Sequence, residues 1–365
     1  MLKGYQYRLY PNKEQQTYFA KCFGSVRFIY NHMLAERIEL YEKYKGDEVQ
    51  LKRHKPRTYT SYKKEFEWLK EVDNLALANT QMNLNTAYKN FFKSGFGFPK
   101  FKSKKGSADS YKTNNQGGNI RIEENKIKLP KVGFVKIKLH REFDGLIKSC
   151  VIKKTKTNKY FISILVEEQD KDWIPAKNKI GIDLGISHFA ITSNDDNVDK
   201  KYDNPKWLRK AEQKLIKAQK ALSRKKKGSK NREKARLVLA KKHEKVANRR
   251  KDFLHKLSHK ITNENQVIVI ETLKSSNMLK NRKLAKSISD VSWYEFTRQL
   301  EYKSKWLSRT LIQADPWFPS SQICSNCGEN GGKKKLNVRE WKCNHCDTEH
   351  DRDINAAKNL LSLAN

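Results

Sequence analysis

The sequence predicts an α/β protein that also carries a small β-barrel and a helical lobe. Three observations lead there. Apolar residues recur at three- and four-residue spacing over residues 11–114, and the period changes to two from about Gln116. Later, the runs IGIDL and VIVI suit strands buried on both faces, as in a parallel sheet flanked by helices.

The first segment, GYQYRLY, reads as a short strand ended by Pro11. Asn12 then offers an N-cap, with Gln15 three positions on in a capping-box arrangement. Helical patterning continues to about Tyr44 through Phe19, Phe23, Phe28, Ile29 and Met33. A second helical stretch carries Leu77, Gln81, Leu84, Tyr88 and Phe91. GFGFPKFKSKK, from Gly95, interleaves aromatics with lysines, as nucleic-acid grooves do where bases stack beside neutralised phosphates. The bland alternative is a core-plugging loop with solvated lysines.

IRIEENKIKLP suggests a hairpin turning at Glu124-Asn125. FVKIKLH puts Val135, Ile137 and Leu139 on one face, and CVIKKTKTNKYFISILVEE reads as two strands around a polar turn. Several short strands in succession suggest a barrel. If the first strand joins it, the helical segment is an insertion. Residues 207–260 hold 21 Lys or Arg against four acids, and Leu208, Ala211, Leu215, Ala218 and Leu222 keep helical spacing. The pattern breaks at KKKGSKN and resumes at Leu239, which fits two antiparallel helices joined at Gly228-Ser229.

Composition narrows the partners. The 365-residue chain carries 77 Lys+Arg against 40 Asp+Glu, a net charge of +37. Self-repulsion on that scale penalises a compact state that lacks a polyanionic partner, and nucleic acid is the natural one. No apolar run reaches membrane-spanning length, and MLKGYQYRLYP lacks the apolar centre of a signal peptide, so no membrane association is expected. Of six cysteines, four fall in two close pairs while Cys22 and Cys150 stand alone. That usage suits a reducing cytoplasm and a metal site.

Two acids stand out in the apolar runs. Asp183 lies within IGIDL, where a carboxylate is costly unless paired or bound to a cation, and Glu271 closes VIVIE. Cys324 and Cys327, then fifteen residues, then Cys343 and Cys346 give a zinc-ribbon spacing. Four thiolates leave no open position for water, so Zn²⁺ there is expected to be structural, with His345 and His350 at the surface and the exchange of a histidine for one cysteine ligand as the alternative. DRDINAAKNLL follows the second pair, and Ile354, Ala357 and Leu361 give it a helical face. A metal knuckle set against this helix would fix the position of a third carboxylate, so that three acids converge. Asp and Glu oxygens suit Mg²⁺, and two such ions would support phosphodiester cleavage. Asp351 could instead be an N-cap or an ion-pair partner of Arg352.

At YRLYPNKEQ, FGSVRFIYNHML, FPKFKSK, GIDLG, the IET strand end, DPWFPSSQICSNCG and DRDINAAKNL the sequence resembles the TnpB family. These are RNA-guided nucleases of insertion sequences, related to the miniature type V CRISPR effectors. The resemblance implies a RuvC-like nuclease domain of RNase H fold over 176–322 and 351–365, with a zinc-ribbon insertion at 323–350. It also implies a wedge-like barrel at 1–10 and 115–175, interrupted by a helical recognition domain at 11–114. Carried over, the catalytic, magnesium-binding carboxylates are Asp183, Glu271 and Asp353. Asp353 is chosen over Asp351 because the family acid directly precedes x-N-A-A. The implied partners are a guide RNA from the transposon end and target double-stranded DNA, with action at the prokaryotic nucleoid. A guide-independent nuclease or transposase of the same fold, and a non-catalytic nucleic-acid-binding regulator, are the rival functions.

Overall fold

Pro11 ends the first strand, β1 (Leu2–Tyr10), and Asn12 starts a long helix at once. The computed structural model describes residues 1–105, 108–170, 173–335 and 337–364. The ranges 11–114, 115–175, 323–350 and 351–365 therefore each include one or two residues outside those described. The chain divides into two units, Met1–Asp170 and Lys171–Asn365.

In the first unit α1 (Lys13–Tyr44) has the expected capping box, with the Asn12 and Gln15 side chains each accepting from the other's backbone N–H. Then come α2 (Glu48–Arg53), α3 (Tyr59–Glu65), a 3₁₀ turn at Glu67–Glu71 and α4 (Asn74–Ser94). Gly95, at φ +65°, closes α4 in the left-handed conformation that glycine adopts without penalty. The strands are β2 (Asp109–Asn114), β3 (Arg121–Glu123), β4 (Lys126–Leu129), β5 (Gly133–Lys138), β6 (Leu146–Lys154) and β7 (Tyr160–Glu167). They form one antiparallel sheet in the order β2-β6-β7-β1-β5-β4-β3. β1 sits inside it between β7 and β5, so the helices do interrupt the sheet. The turn between β3 and β4 falls at Glu124-Asn125, with Glu124 at φ +50°.

Two details differ from the expectation. β2 and β3 are the outer strands and do not pair with each other, so the sheet is a half-barrel and not a closed one. β2 also takes residues 109–114 out of the stretch read as helical and pairs them with β6. Helices and sheet share one core, in which Phe19 and Phe23 of α1 meet Tyr111, and Phe19 also meets Tyr160. Burying a side chain of that size stabilises by about 1.5–3 kcal/mol, which ties the insertion firmly to its sheet.

The second unit begins with β8 (Asn178–Leu184), β9 (His188–Asn194) and β10 (Asp199–Asp203). The hairpin α5 (Trp207–Ser223) and α6 (Lys230–Glu264) follows, turning at Gly228 and capped by the Ser229 hydroxyl. Next are β11 (Asn265–Ile270), α7 (Ser275–Met278), α8 (Ala285–Val291), α9 (Trp293–Trp306) and β12 (Thr310–Gln313). A small ladder, β13 (Glu340–Lys342) with β14 (Glu349–Asp351), leads into α10 (Arg352–Leu361). The main sheet runs β10-β9-β8-β11-β12. β8, β11 and β12 are parallel, while β9 and β10 are antiparallel additions. β10 and β12 went unread in the sequence because their apolar residues are few and partly exposed; α9 went unread although Trp293, Phe296 and Leu300 keep helical spacing and are buried.

Each face of this sheet has its own cover. Ile180, Ile182 and Leu184 of β8 pack with Leu254, Leu257 and Ile261 of α6 and with Trp293, Phe296 and Leu300 of α9. Because side chains alternate along a strand, Gly181 and Asp183 point to the other face. There α10 lies, with Leu360 packed on Val269 and Ala314. Among the described residues no helix is long and apolar enough to cross a membrane.

Candidate active site and metal knuckle

GIDLG is a motif in which each glycine has a steric task. A Cβ on Gly181 would lie 2.1 Å from the Ala357 carbonyl oxygen and 2.5 Å from the Leu361 nitrogen, so only glycine admits α10 this close to β8. A Cβ on Gly185 would lie 2.8 Å from the His188 carbonyl oxygen, inside the tight turn to β9. Between them Asp183 faces the α10 side. The last turns of α10 rest on Gly181, so the helix runs back along β8 and brings its own first turn toward Asp183.

Glu271 follows β11 directly, beside the end of β8. Its backbone N–H reaches the Ile182 carbonyl at 3.4 Å, and its Oε1 accepts from the Leu184 N–H at 2.6 Å. One residue of β8 thus fixes the carboxylate of β11. The third acid is set by the start of α10. Asp351 is the N-cap, its Oδ1 accepting from the Asp353 and Ile354 N–H groups at 3.0 Å each, and its other oxygen pairs with Lys201. The ion-pair partner is therefore Lys201 and not Arg352. Asp353 is left one turn position in, where the Arg339 guanidinium donates to its two oxygens at 3.2 and 3.3 Å.

Burial pushes the Asp183 carboxyl well above the usual range, the charges of Glu271 and Asp353 push it further, and Arg352 and Arg339 oppose the shift. Glu271 is pushed up to about 7 by burial, against the Leu184 hydrogen bond that favours its charged form. Burial acts to raise Asp351 too, but Lys201 and the α10 amides outweigh it and hold that carboxyl low. Asp183 is thus buried in the field of two further carboxylates, which a cation would relieve. Asp351 is paired with Lys201 and Asp353 with Arg339.

The four cysteines meet as their spacing predicts. The thiols of Cys324, Cys327, Cys343 and Cys346 lie within 4.8 Å of one another, close enough to hold one metal ion. The three carboxylates are not gathered that tightly, and the four thiols are the only such group among the described residues. Both pairs sit on knuckle turns, with Gly328 N–H to the Cys324 carbonyl and Asp347 N–H to the Cys343 carbonyl. Hydrogen bonds from Thr348 and Asn326 hold the Cys346 thiol down at about 5, so it is readily a thiolate. His350, expected at the surface, instead lies with Nε2 3.0 Å from the Cys324 sulfur and its ring against Trp341. That is the place of a residue that orients a ligand thiol.

Sequence reading missed what ties knuckle to helix. Asn355 and Asn359, one turn apart on α10, each donate to the Ile323 carbonyl at 2.7 Å, and Asn359 also donates to the Ser320 carbonyl. The Ser325 N–H returns a bond to Asn355. From the other side, Arg352 N–H binds the Arg339 carbonyl at 2.7 Å. Folding of the knuckle therefore fixes α10 and Asp353, which explains a metal site next to an acid at this point of the chain. Arg339 was missed as well; a lone arginine in NVREWKC gives no signal of its own.

In the first unit, Phe96, Phe98 and Phe101 are 65%, 44% and 57% exposed, so the GFGFPKFKSKK loop is not a core plug. Along α5 and α6 nearly all of the basic residues are solvent-facing.

The family model OrfB_IS605, described as "Probable transposase", matches residues 163–282. A Cas12f1-like TNB domain matches residues 293–360, and a domain described as helix-turn-helix matches residues 1–46. Over that last range the chain forms β1 and the single helix α1, so the description does not fit its fold. A protein of Streptomyces pristinaespiralis named "Putative RNA-guided DNA endonuclease" is 38% identical over 99% of this chain and 89% of its own length. A protein of Escherichia coli K12, "Putative RNA-guided DNA endonuclease InsQ", is 30% identical over 99% and 92%. A solved structure, the cryo-EM complex of Cas12f1 with sgRNA and target DNA, aligns with TM-score 0.61 over 99% of this chain and 98% of that one. At 15% identity it shares the fold.

Proposed function

Given that this chain belongs to the TnpB family, we propose that it is an RNA-guided DNA endonuclease of a transposable element. A guide RNA from the element's end pairs with one strand of target double-stranded DNA, and the protein cuts beside a short flanking motif at the prokaryotic nucleoid. The observation that carries the nuclease reading is the placement of three acids: Glu271 is bonded to Ile182 and Leu184 on either side of Asp183, Asp353 stands in the first turn of α10, and the charges of both push the Asp183 carboxyl up. The end-to-end relatives at 38% and 30% identity, whose names both read "Putative RNA-guided DNA endonuclease", support the guide.

The sheet order β10-β9-β8-β11-β12, with parallel β8, β11 and β12, supports a RuvC-like domain of RNase H type over 176–322 and 351–365. The half-barrel is the wedge-like domain, 11–114 the recognition domain and 323–350 the zinc ribbon. Four thiols within 4.8 Å of one another are a fitting donor set for Zn²⁺, whose role here would be to fold the knuckle that carries Arg339 and anchors α10.

Asp183, Glu271 and Asp353 would hold Mg²⁺, for which an all-carboxylate oxygen set is the fitting donor chemistry. Two such ions, when bound, activate water and steady the leaving oxygen of a phosphodiester. The Leu184 amide keeps one Glu271 oxygen oriented. Arg339 balances the charge of Asp353 and eases its repulsion of Asp183. Lys201 holds Asp351 out of the set and secures the start of α10. The net charge of +37, the α5–α6 ridge and the exposed phenylalanines give the guide RNA and target their phosphate and stacking contacts.

Co-expression with the flanking element sequence tests this reading. Purification at low salt should yield a ribonucleoprotein whose RNA ends in sequence from beyond the element. The description "Probable transposase" favours a guide-independent nuclease as the second reading, and DNA cutting by RNA-free protein would establish it.

A further inference from the structure

Beside the β8–β9 turn opens a cleft of about 350 Å³ whose floor includes Ile186 and whose walls carry Lys206, Arg209, Lys283, Lys286 and Asp290. Two of the charges are spoken for. Lys286 pairs with Glu212, while Asp290 pairs with Arg250 and accepts from the Leu208 and Arg209 amides. Lys206, Arg209 and Lys283 make no ion pair among the described residues. They arrive from the start of α5, its first turn and the segment before α8.

Three cations around one concavity repel each other, and two of them stand where they gain nothing from their own helix. α5 has no acid in its first turn, and cations at a helix N-terminus oppose its dipole. Asp290 already occupies the first amides of α5, so the cleft's positive field is left for a ligand. Its floor also starts close to the acids. Ile186 is three residues beyond Asp183, hence within about 11 Å at the ~3.6 Å per residue of an extended chain. At the ~3.4 Å rise of a B-form strand this is roughly three nucleotides.

We propose that this cleft holds the phosphodiester backbone of the DNA strand being cut, within a few nucleotides of the scissile phosphate. Lys206, Arg209 and Lys283 each pair with a phosphate oxygen. The proposal rests on the nuclease reading above and gives it a direction: the strand passes from the carboxylates over the β8–β9 turn onto the start of the basic α5 ridge. Proximity to Asp183 favours the cleaved strand over the guide RNA as occupant. The three residues are positioning residues, since none reaches the reacting atoms.

The test uses guide-loaded protein with bound target DNA, magnesium added to start a single turnover, and targets with one neutral methylphosphonate linkage moved along the cleaved strand. Wild type should slow roughly tenfold or more at linkages within a few nucleotides on one side of the cut. In the triple variant Lys206→Gln, Arg209→Gln, Lys283→Gln that interference should vanish. The slope of log rate against log salt should fall by about 2, at ~0.7 per single-strand phosphate contact. Target binding before magnesium is added should stay within twofold, and Lys280→Gln, which alters the same segment outside the cleft, should behave as wild type. Lys283→Arg should keep most of the effect. Interference that persists in the triple variant, or an unchanged salt slope, overturns the proposal. So does an equal loss of guide-RNA affinity, which would make the guide the occupant. A wild-type complex that cuts no DNA at all would instead remove the nuclease reading itself, a separate result.

Discussion

Replacing Gly181 by alanine adds one methyl group and should nevertheless disable the site. That carbon would sit 2.1 Å from the Ala357 carbonyl oxygen, about 1.3 Å short of ordinary contact, and the obstructing atoms are backbone on both sides. Neither β8, paired on both edges, nor α10, pinned by Asn355 and Asn359, can yield without breaking hydrogen bonds. Overpacking of this kind costs about 1–3 kcal/mol. For a unit of this size, each kcal/mol corresponds to a melting shift of about 2–4 °C. The larger effect is geometric: α10 carries Asp353, and a misplacement of about 1 Å in a reacting array can cost on the order of 10²-fold. Single-turnover cleavage should therefore fall by about two orders of magnitude, while guide and target binding persist. Gly24→Ala is the matched control, since a Cβ there meets nothing within 4 Å. Gly181→Ala cutting within threefold of wild type, with an unchanged melt, would refute the close approach of α10 to β8.

Asp353→Asn should abolish cleavage by several orders of magnitude. Asp351→Asn should stay within tenfold, because asparagine also caps a helix and only the Lys201 pair is lost; the reverse ranking in a magnesium-dependent assay would exchange their roles. One zinc per chain should be found by elemental analysis. Cys324→Ser should lose it together with activity, through the helix that Asn355 and Asn359 tie to the knuckle, and zinc-free protein that cuts normally would contradict this. Glu271, pushed up to about 7 from an unfolded value of ~4.3, makes the folded chain bind more protons between those values. In magnesium-free buffer, stability should thus fall as pH rises through that window, and the raised Asp183 carboxyl adds to the fall in the same direction. Glu271→Gln should make the urea-midpoint profile shallower there, and a wild-type profile that rises with pH would show the carboxylates are not desolvated.

Much of this was legible because its signals are local. The capping box at Asn12, the two-residue turn at Glu124-Asn125, the break at Gly228-Ser229 and the paired cysteines each rest on a few adjacent residues. Asp183 and Glu271 were visible because a carboxylate inside an apolar strand run is costly. Edge elements were not: β10 is almost wholly exposed and β12 spans four residues, so neither carries a burial pattern strong enough to read. Closure of the barrel could not be read either, since whether β2 meets β3 depends on pairing across the whole sheet. Gly181, Arg339, Asn355 and Asn359 were missed for one reason. Their work is done against residues distant along the chain, and a single sequence holds no trace of such contacts.

The most direct test of guide-dependent cutting is reprogramming. The chain is purified with an RNA from its element's end, the terminal segment of that RNA is rewritten, and cleavage is mapped on DNA carrying the old and new matching sites beside the same flanking motif. Cutting should move to the new site, require magnesium, and disappear in Asp183→Ala while binding remains. A cut site that stays where it was, or RNA-free protein that cuts the same DNA as well, would contradict it.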